Sequence, residues 1–109
     1  MARHLLVVMS NAASGRDADY NEWYTHTHLA DVLKTDGFAA AQRFKLSAHQ
    51  VMDKGPYEYM AIYEVETDDL EKTLEALNSG SANMTMSDSL DAERTVAWAF
   101  TPCSDRLEG

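Results

Sequence analysis

The sequence predicts an α+β fold, a four-stranded antiparallel sheet with two helices on one face, in the order β-α-β-β-α-β. Three observations carry this reading. Apolar, β-branched or aromatic runs of strand length recur along the chain. Two longer segments between them carry helix start and stop signals, the second with clear helical periodicity. Turn formers collect at the junctions.

The first strand is RHLLVVMS, residues 3–10, whose apolar run at both parities reads as buried on both faces. The segment 11-NAASGRDAD-19 then gathers turn formers and places Asp17 or Asp19 to accept hydrogen bonds from the first free amides of a helix beginning near residue 18. That helix runs through YNEWYTHTHLADVLKT and stops at Gly37, a residue suited to the left-handed conformation that follows many helix ends. FAAAQRFKLS makes a second strand, 48-AHQVMDKGP-56 a loop, and 57-YEYMAIYEVE-66 a third strand pairing antiparallel with the second. A second amphipathic helix follows in 67-TDDLEKTLEALNSG-80, which opens with Thr67 and acidic residues and puts Leu70, Leu74 and Leu77 on one side. It carries no chemistry in this reading. A polar connection, 81-SANMTMSDSLDAE-93, with room for a short helical turn, leads to the last strand, 94-RTVAWAFTP-102. The order is the split βαβ arrangement of ferredoxin-like domains.

An antiparallel sheet with one solvated face should alternate between apolar and polar residues, and here several strands are apolar at both parities. Tyr57, Tyr59, Ala61, Tyr63 and Val65 share one side of the third strand, with Met60 and Ile62 on the other; Ala97 and Ala99 oppose Val96, Trp98 and Phe100 in the fourth. The chain has no further segment to cover a second apolar face, so the expected cover is another copy, sheet against sheet in a two-fold homodimer.

A length of 109 residues implies a single domain spanning 1–109. The net charge of −9, with no basic cluster, opposes binding to nucleic acid or to an anionic membrane surface. No apolar run approaches the roughly 18 residues of a membrane span. The single cysteine, Cys103, makes no internal disulfide, and 5-LLVVM-9 is too short for a signal peptide, so a cytoplasmic location is expected.

The stretch 22-EWYTHTHLAD-31 carries the chemistry worth testing. On an α-helix, positions two apart point nearly opposite ways, so His26 and His28 diverge and lack the i, i+4 spacing of a helical metal pair. No metal site is expected. His26 should be solvated, whereas the stripe of His28 holds Tyr24, Asp31 and Val32. Pattern alone leaves His28 as either a satisfied buried histidine or a proton-transfer group.

The run 20-YNEWYTHTHLADVLKTDGFAAAQRF-44 resembles the signature of the EthD-like family within the dimeric α+β barrel superfamily. Asn21, Trp23, Tyr24, His28, Leu29, Val32, Leu33, Gly37, Phe38, Arg43 and Phe44 match in order, while Ala30 and Asp36 stand where the family usually has proline. The resemblance implies a ferredoxin-like homodimer with a pocket between the first helix and the sheet, into which His28 projects. Relatives in the superfamily include polyketide cyclases, cofactor-free monooxygenases, lactone isomerases and accessory proteins of degradation pathways, and the fold does not select among them.

Two classes of function fit. One is a small cofactor-independent enzyme of isomerase, cyclase, dehydratase or monooxygenase type, acting on an aromatic or polyketide-like compound with His28 as general acid/base. Asp31 would orient the ring or raise its basicity, and Tyr24 would donate a hydrogen bond to substrate; a solvated carboxylate and a packing tyrosine are the commoner cases. Trp23, Tyr59, Tyr63 and Trp98 would line a pocket for a small apolar or aromatic ligand, unless some serve the dimer core, and Arg43 is either an anion anchor or a surface residue. Met84 and Met86 could form an adaptable lid or pack under the loop. No phosphate loop, nucleophile elbow or cofactor fingerprint occurs, so no cofactor is expected. The other class is a non-catalytic ligand-binding or accessory protein of a degradation pathway.

Overall fold

A computed structural model describes residues 2–109; residue 1, the first of the expected domain, lies outside the described residues. Strand β1 spans Arg3–Ser10, β2 Phe38–Lys45, β3 Tyr59–Glu66 and β4 Val96–Phe100. The first helix is a continuous rod made of α1 (Asp17–Trp23), a π-helical turn (Tyr24–His28) and α2 (Leu29–Leu33). The second is α3 (Leu70–Gly80), and single 3₁₀ turns at Ser81–Asn83 and Ala92–Arg94 interrupt the connection to β4. The sheet order β2-β3-β1-β4, with every pair antiparallel, is the ferredoxin-like arrangement that the element order predicts.

The element ends shift where local hydrogen bonding prevails over sequence signals. The first helix starts at Asp17 with Arg16 in the capping position and no side-chain cap. The Asp17 carboxylate instead accepts the Tyr59 hydroxyl at 2.9 Å, so neither Asp17 nor Asp19 caps as expected. The rod ends at Leu33, short of Gly37, but Gly37 does take the left-handed conformation with φ 92°. In the second helix Asp69 is the cap, its side chain accepting the Lys72 amide at 3.1 Å, while the Thr67 hydroxyl accepts the Asp69 amide. Tyr57 falls before β3, whose ladder with β2 ends at the Lys45–Tyr59 pair.

Burial along β3 alternates strictly, with Tyr59, Ala61, Tyr63 and Val65 inward. The register sets Leu6 opposite Tyr63 and His4 opposite Val65 on that face. Strand β1 is therefore buried on one face within the chain rather than on both: Leu6 is inside, while Val7 pairs with Ile62 and Trp98 on the outer face. There Leu5, Phe44, Trp98 and Phe100 stand exposed, and nothing among the described residues covers them.

Inside, the first helix presses Tyr20, Trp23, Tyr24 and Val32 onto the sheet. Tyr20 is sealed completely, and its hydroxyl bonds the buried Ser10 hydroxyl. The leucines of α3 are only partly buried against this core. A space consequently remains between the two helices over β1.

Gly37 fastens the start of β2 to the end of β3, its carbonyl accepting the Glu66 amide at 2.7 Å. A Cβ there would meet the Thr73 methyl at 3.2 Å and the Glu66 carbonyl at 3.3 Å, besides the strain of a positive φ. Gly37→Ala is expected to lower stability by about 1–3 kcal/mol, read from the shift of the urea midpoint at unchanged slope.

Candidate functional site

The histidine segment is the place where the first helix departs from α geometry. The α-helical bond closes from residue i to i+4, whereas the π turn closes to i+5 and widens the coil. Side chains five apart on an α-helix diverge by about 140°. Across this turn they meet: the Trp23 and His28 rings stack with centroids 4.6 Å apart and planes 25° apart. Tyr24, four residues before, stands edge-on to the same imidazole at 4.9 Å and 90°. The sequence suits a loosened turn, because Thr25 and Thr27 are β-branched and the flanking aromatics lose rotamer freedom in a regular helix.

Two ring contacts remove most water from His28. Its Nδ1 is the one buried side-chain nitrogen or oxygen among the described residues that lacks a hydrogen-bond partner. Burial lowers the His28 pKa below the ordinary 6.5, and the charge of Asp31 opposes this only in part. The imidazole is therefore held neutral at neutral pH. An unsatisfied buried polar atom costs about 1–3 kcal/mol, and aromatic stacking returns about 0.5–1.5 kcal/mol. With Nδ1 enclosed, it is the rest of the ring that His28 presents to the neighbouring space.

Beside it lies a pocket of about 180 Å³ between the first helix, the end of α3 and the sheet. Leu6, Val8, Val32, Leu77 and Ala97 make it apolar, and Tyr24, Tyr63, Asn78 and Ser81 are the residues with polar groups that line it besides His28. The Tyr63 hydroxyl lies 3.4 Å from that of Tyr24. Burial pushes the Tyr63 phenol up to about 12 and the Tyr24 phenol higher still, so both stay protonated and able to donate.

The residues singled out from sequence separate into three places. His28, Tyr24 and Tyr63 line the pocket together, with Trp23 behind the imidazole and its indole N–H donated to the Thr85 carbonyl at 2.8 Å. Tyr59 and Arg43 form a neighbouring cluster that does not line this pocket. The Arg43 guanidinium lies 4.8 Å from the Tyr24 ring centroid, 5.2 Å from that of Tyr20 and 5.3 Å from that of Tyr59. It also donates to Thr25 Oγ1 at 2.8 Å and to Asn21 Oδ1 at 3.0 Å, so it is held by helix and aromatic partners rather than left at the surface. Trp98 stands on the opposite face of the sheet, 51% exposed. A strand side chain one position out of register with the inner face cannot reach the pocket.

Asp31 makes no hydrogen bond to His28. Its Oδ2 accepts the Thr85 amide at 3.2 Å and its Oδ1 the Lys34 ammonium at 3.4 Å. The Thr85 amide first, then Lys34, hold this carboxyl below the usual carboxylate range. His26 is exposed, as its spacing predicts, 3.7 Å from Glu22. Among the described residues no group of three or more His, Cys, Asp or Glu is arranged to hold a metal ion.

Leu77, Asn78 and Ser81 were missed, since the second helix carried no chemistry in the sequence reading. A signal was available: Asn78 and Ser81 follow Leu74 and Leu77 by four residues, so polar groups continue an apolar stripe.

Fold and site together define a ferredoxin-like α+β domain with a small apolar pocket lined by one half-buried histidine. No family model matches the chain, and no curated protein matches it. Solved structures do. A protein of Arabidopsis thaliana is similar with a TM-score of 0.64 at 15% identity, over 98% of this chain and 100% of that one. An EthD-like protein of Ralstonia eutropha is similar with a TM-score of 0.59 at 15% identity, over 97% of this chain and 96% of its own. A dimeric ferredoxin-like protein of unknown function from Jannaschia sp. gives 0.60 at 11% identity, over 92% and 99%. At these identities the likeness establishes the fold, and the structures that share it include an EthD-like protein. No helix among the described residues is long and apolar enough to cross a membrane.

Because the folded pKa of His28 is depressed, the unfolded chain takes up this proton first as pH falls. The stability held above the unfolded pKa of about 6.5 is thus lost as pH drops through the folded value. Urea midpoints of the wild type should fall more steeply than those of His28→Gln between about pH 7.5 and 5; equal slopes would mean the ring is not desolvated.

Proposed function

We propose that this chain is an EthD-like protein that works as a homodimer, the dimeric α+β barrel, and as a cofactor-independent enzyme on an aromatic or polyketide-like small molecule. His28 is its general acid/base. The observation that carries this reading is the half-buried, neutral imidazole that lines an apolar pocket beside two tyrosines, with its Nδ1 enclosed and without a partner. A neutral imidazole takes a proton from a carbon next to a carbonyl, or from a phenol, and returns it at another atom. Tyr24, whose hydroxyl accepts that of Tyr63, supplies an O–H donor where oxygen charge develops on the substrate. Isomerisation, aldol-type cyclisation and dehydration need only these groups. A cavity of about 150 Å³ holds benzene, so about 180 Å³ suits a single flat ring.

The likeness to an EthD-like structure, together with the matching residues on the first helix, supports the family assignment. The exposed apolar face and the likeness to a protein described as dimeric support sheet-to-sheet pairing of two copies. A cytoplasmic location accords with the single, exposed Cys103.

A non-catalytic ligand-binding protein is the second reading, and one observation favours it: no charged side chain lines the pocket, and the Asp31 carboxylate is taken up by Thr85 and Lys34. Mass spectrometry after incubation with enolisable phenolic ketones separates the two. Conversion by the wild type, reduced by a factor of about 10²–10⁴ in His28→Gln at unchanged folding, is expected. Tight binding without conversion would establish the second reading instead.

Sedimentation at micromolar concentration should show a dimer. Trp98→Glu, which places a charge on the apolar face, should give a folded monomer; a wild-type monomer would refute the pairing.

A further inference from the structure

The connection between α3 and β4 crosses the mouth of the His28 pocket as a strap. Met84 has extended backbone, φ −84° and ψ 149°, and in an extended chain alternate side chains share a side. Met84 and Met86 accordingly both line the pocket, with Thr85 between them. The main chain of Thr85 is fastened on both of its polar groups. Its carbonyl accepts the Trp23 indole N–H at 2.8 Å, and its amide donates to Asp31 Oδ2 at 3.2 Å. Both anchors belong to the first helix, one on each side of His28 in sequence. Further out, the Met84 amide bonds the Ser81 carbonyl and the Ala13 amide the Ser89 carbonyl, so the span from 84 to 86 hangs on the two Thr85 contacts.

We propose that Met84 and Met86 determine which aromatic ligands the His28 pocket admits, and that Asp31 is a positioning residue acting through the Thr85 strap rather than on the imidazole. This rests on the reading of the pocket as a ligand site. Met84 is half-buried against the core, and Met86 sits 56% exposed at the rim. Methionine side chains are unbranched, polarisable and adaptable, and sulfur against a ring edge is worth about 0.3–1.5 kcal/mol. They form a wall that closes on one flat ring, and a second fused ring needs the volume that Met84 fills. The bond from Thr85 is also the leading cause of the low Asp31 pKa, which accords with a carboxylate engaged by the strap.

Calorimetric affinities of the full chain for phenol and 1-naphthol test this without any assay of turnover. Met84→Ala should shift the ratio of affinities toward 1-naphthol by about tenfold, and Met84→Phe should shift it the other way. Asp31→Ala, which releases the strap, should move the ratio in the direction of Met84→Ala. Asp31→Asn keeps an oxygen for the Thr85 amide and should retain the wild-type ratio, although it removes the charge. An NMR titration of the His28 ring in Asp31→Asn would then register lost charge with selectivity intact. A ratio unchanged in both Met84 variants would overturn the proposal, as would Asp31→Asn behaving like Asp31→Ala. If neither phenol binds the wild type or Met84→Ala, the pocket is not an aromatic site and the proposed function falls with it; conversion is read separately.

Discussion

The packing of one aromatic ridge against one face of the sheet governs the rest of the molecule. Tyr20 is fully buried, with its ring 4.9 Å from that of Tyr59 and 5.5 Å from that of Tyr24. Arg43 caps the same cluster with its guanidinium over three tyrosine rings. Each such contact is worth about 0.5–2 kcal/mol where water is excluded, and together they anchor the first helix over β2 and β3. The second helix lacks an equivalent ridge. Its leucines reach the core only in part, and the pocket is the volume that this asymmetry leaves between the helices.

The π turn converts that anchoring into a site. A regular α-helix would carry His28 away from Trp23, whereas the wider turn lays one ring on the other and seals Nδ1 from water. A ring desolvated in this way stays neutral where it borders the pocket, and π turns of this kind often accompany function. The acidic surface has little part in this. The chain carries a net charge of −9, yet the pocket is lined by no carboxylate, and burial rather than charge sets the state of the imidazole.

The two faces of the sheet divide the work. The inner face carries the tyrosines that form the core and the pocket wall, and the outer face carries Leu5, Phe44, Trp98 and Phe100, exposed among the described residues. A strand of period two assigns each side chain to one function or the other, so Tyr63 and Trp98, both aromatic residues on neighbouring parts of the sheet, serve different surfaces.

Periodicity, turn formers and parity determined the element order, the antiparallel sheet, the apolar outer face and the solvent exposure of His26, because these depend on residues near one another in sequence. The place of His28 on the partly apolar stripe of Tyr24 and Val32 also followed from helical spacing. Its stacking on Trp23 did not, since a regular 100° step cannot represent a π turn. Asp31 lay one turn from His28 as the spacing requires, but its partner, Thr85, is 54 residues away and enters only through the tertiary structure. Arg43 read as a surface or ligand-binding cation until β2 packed against the first helix and placed three tyrosine rings around it. Local pattern thus decided what each segment is and which face it buries. Contacts between distant segments decided which polar groups remain free to act.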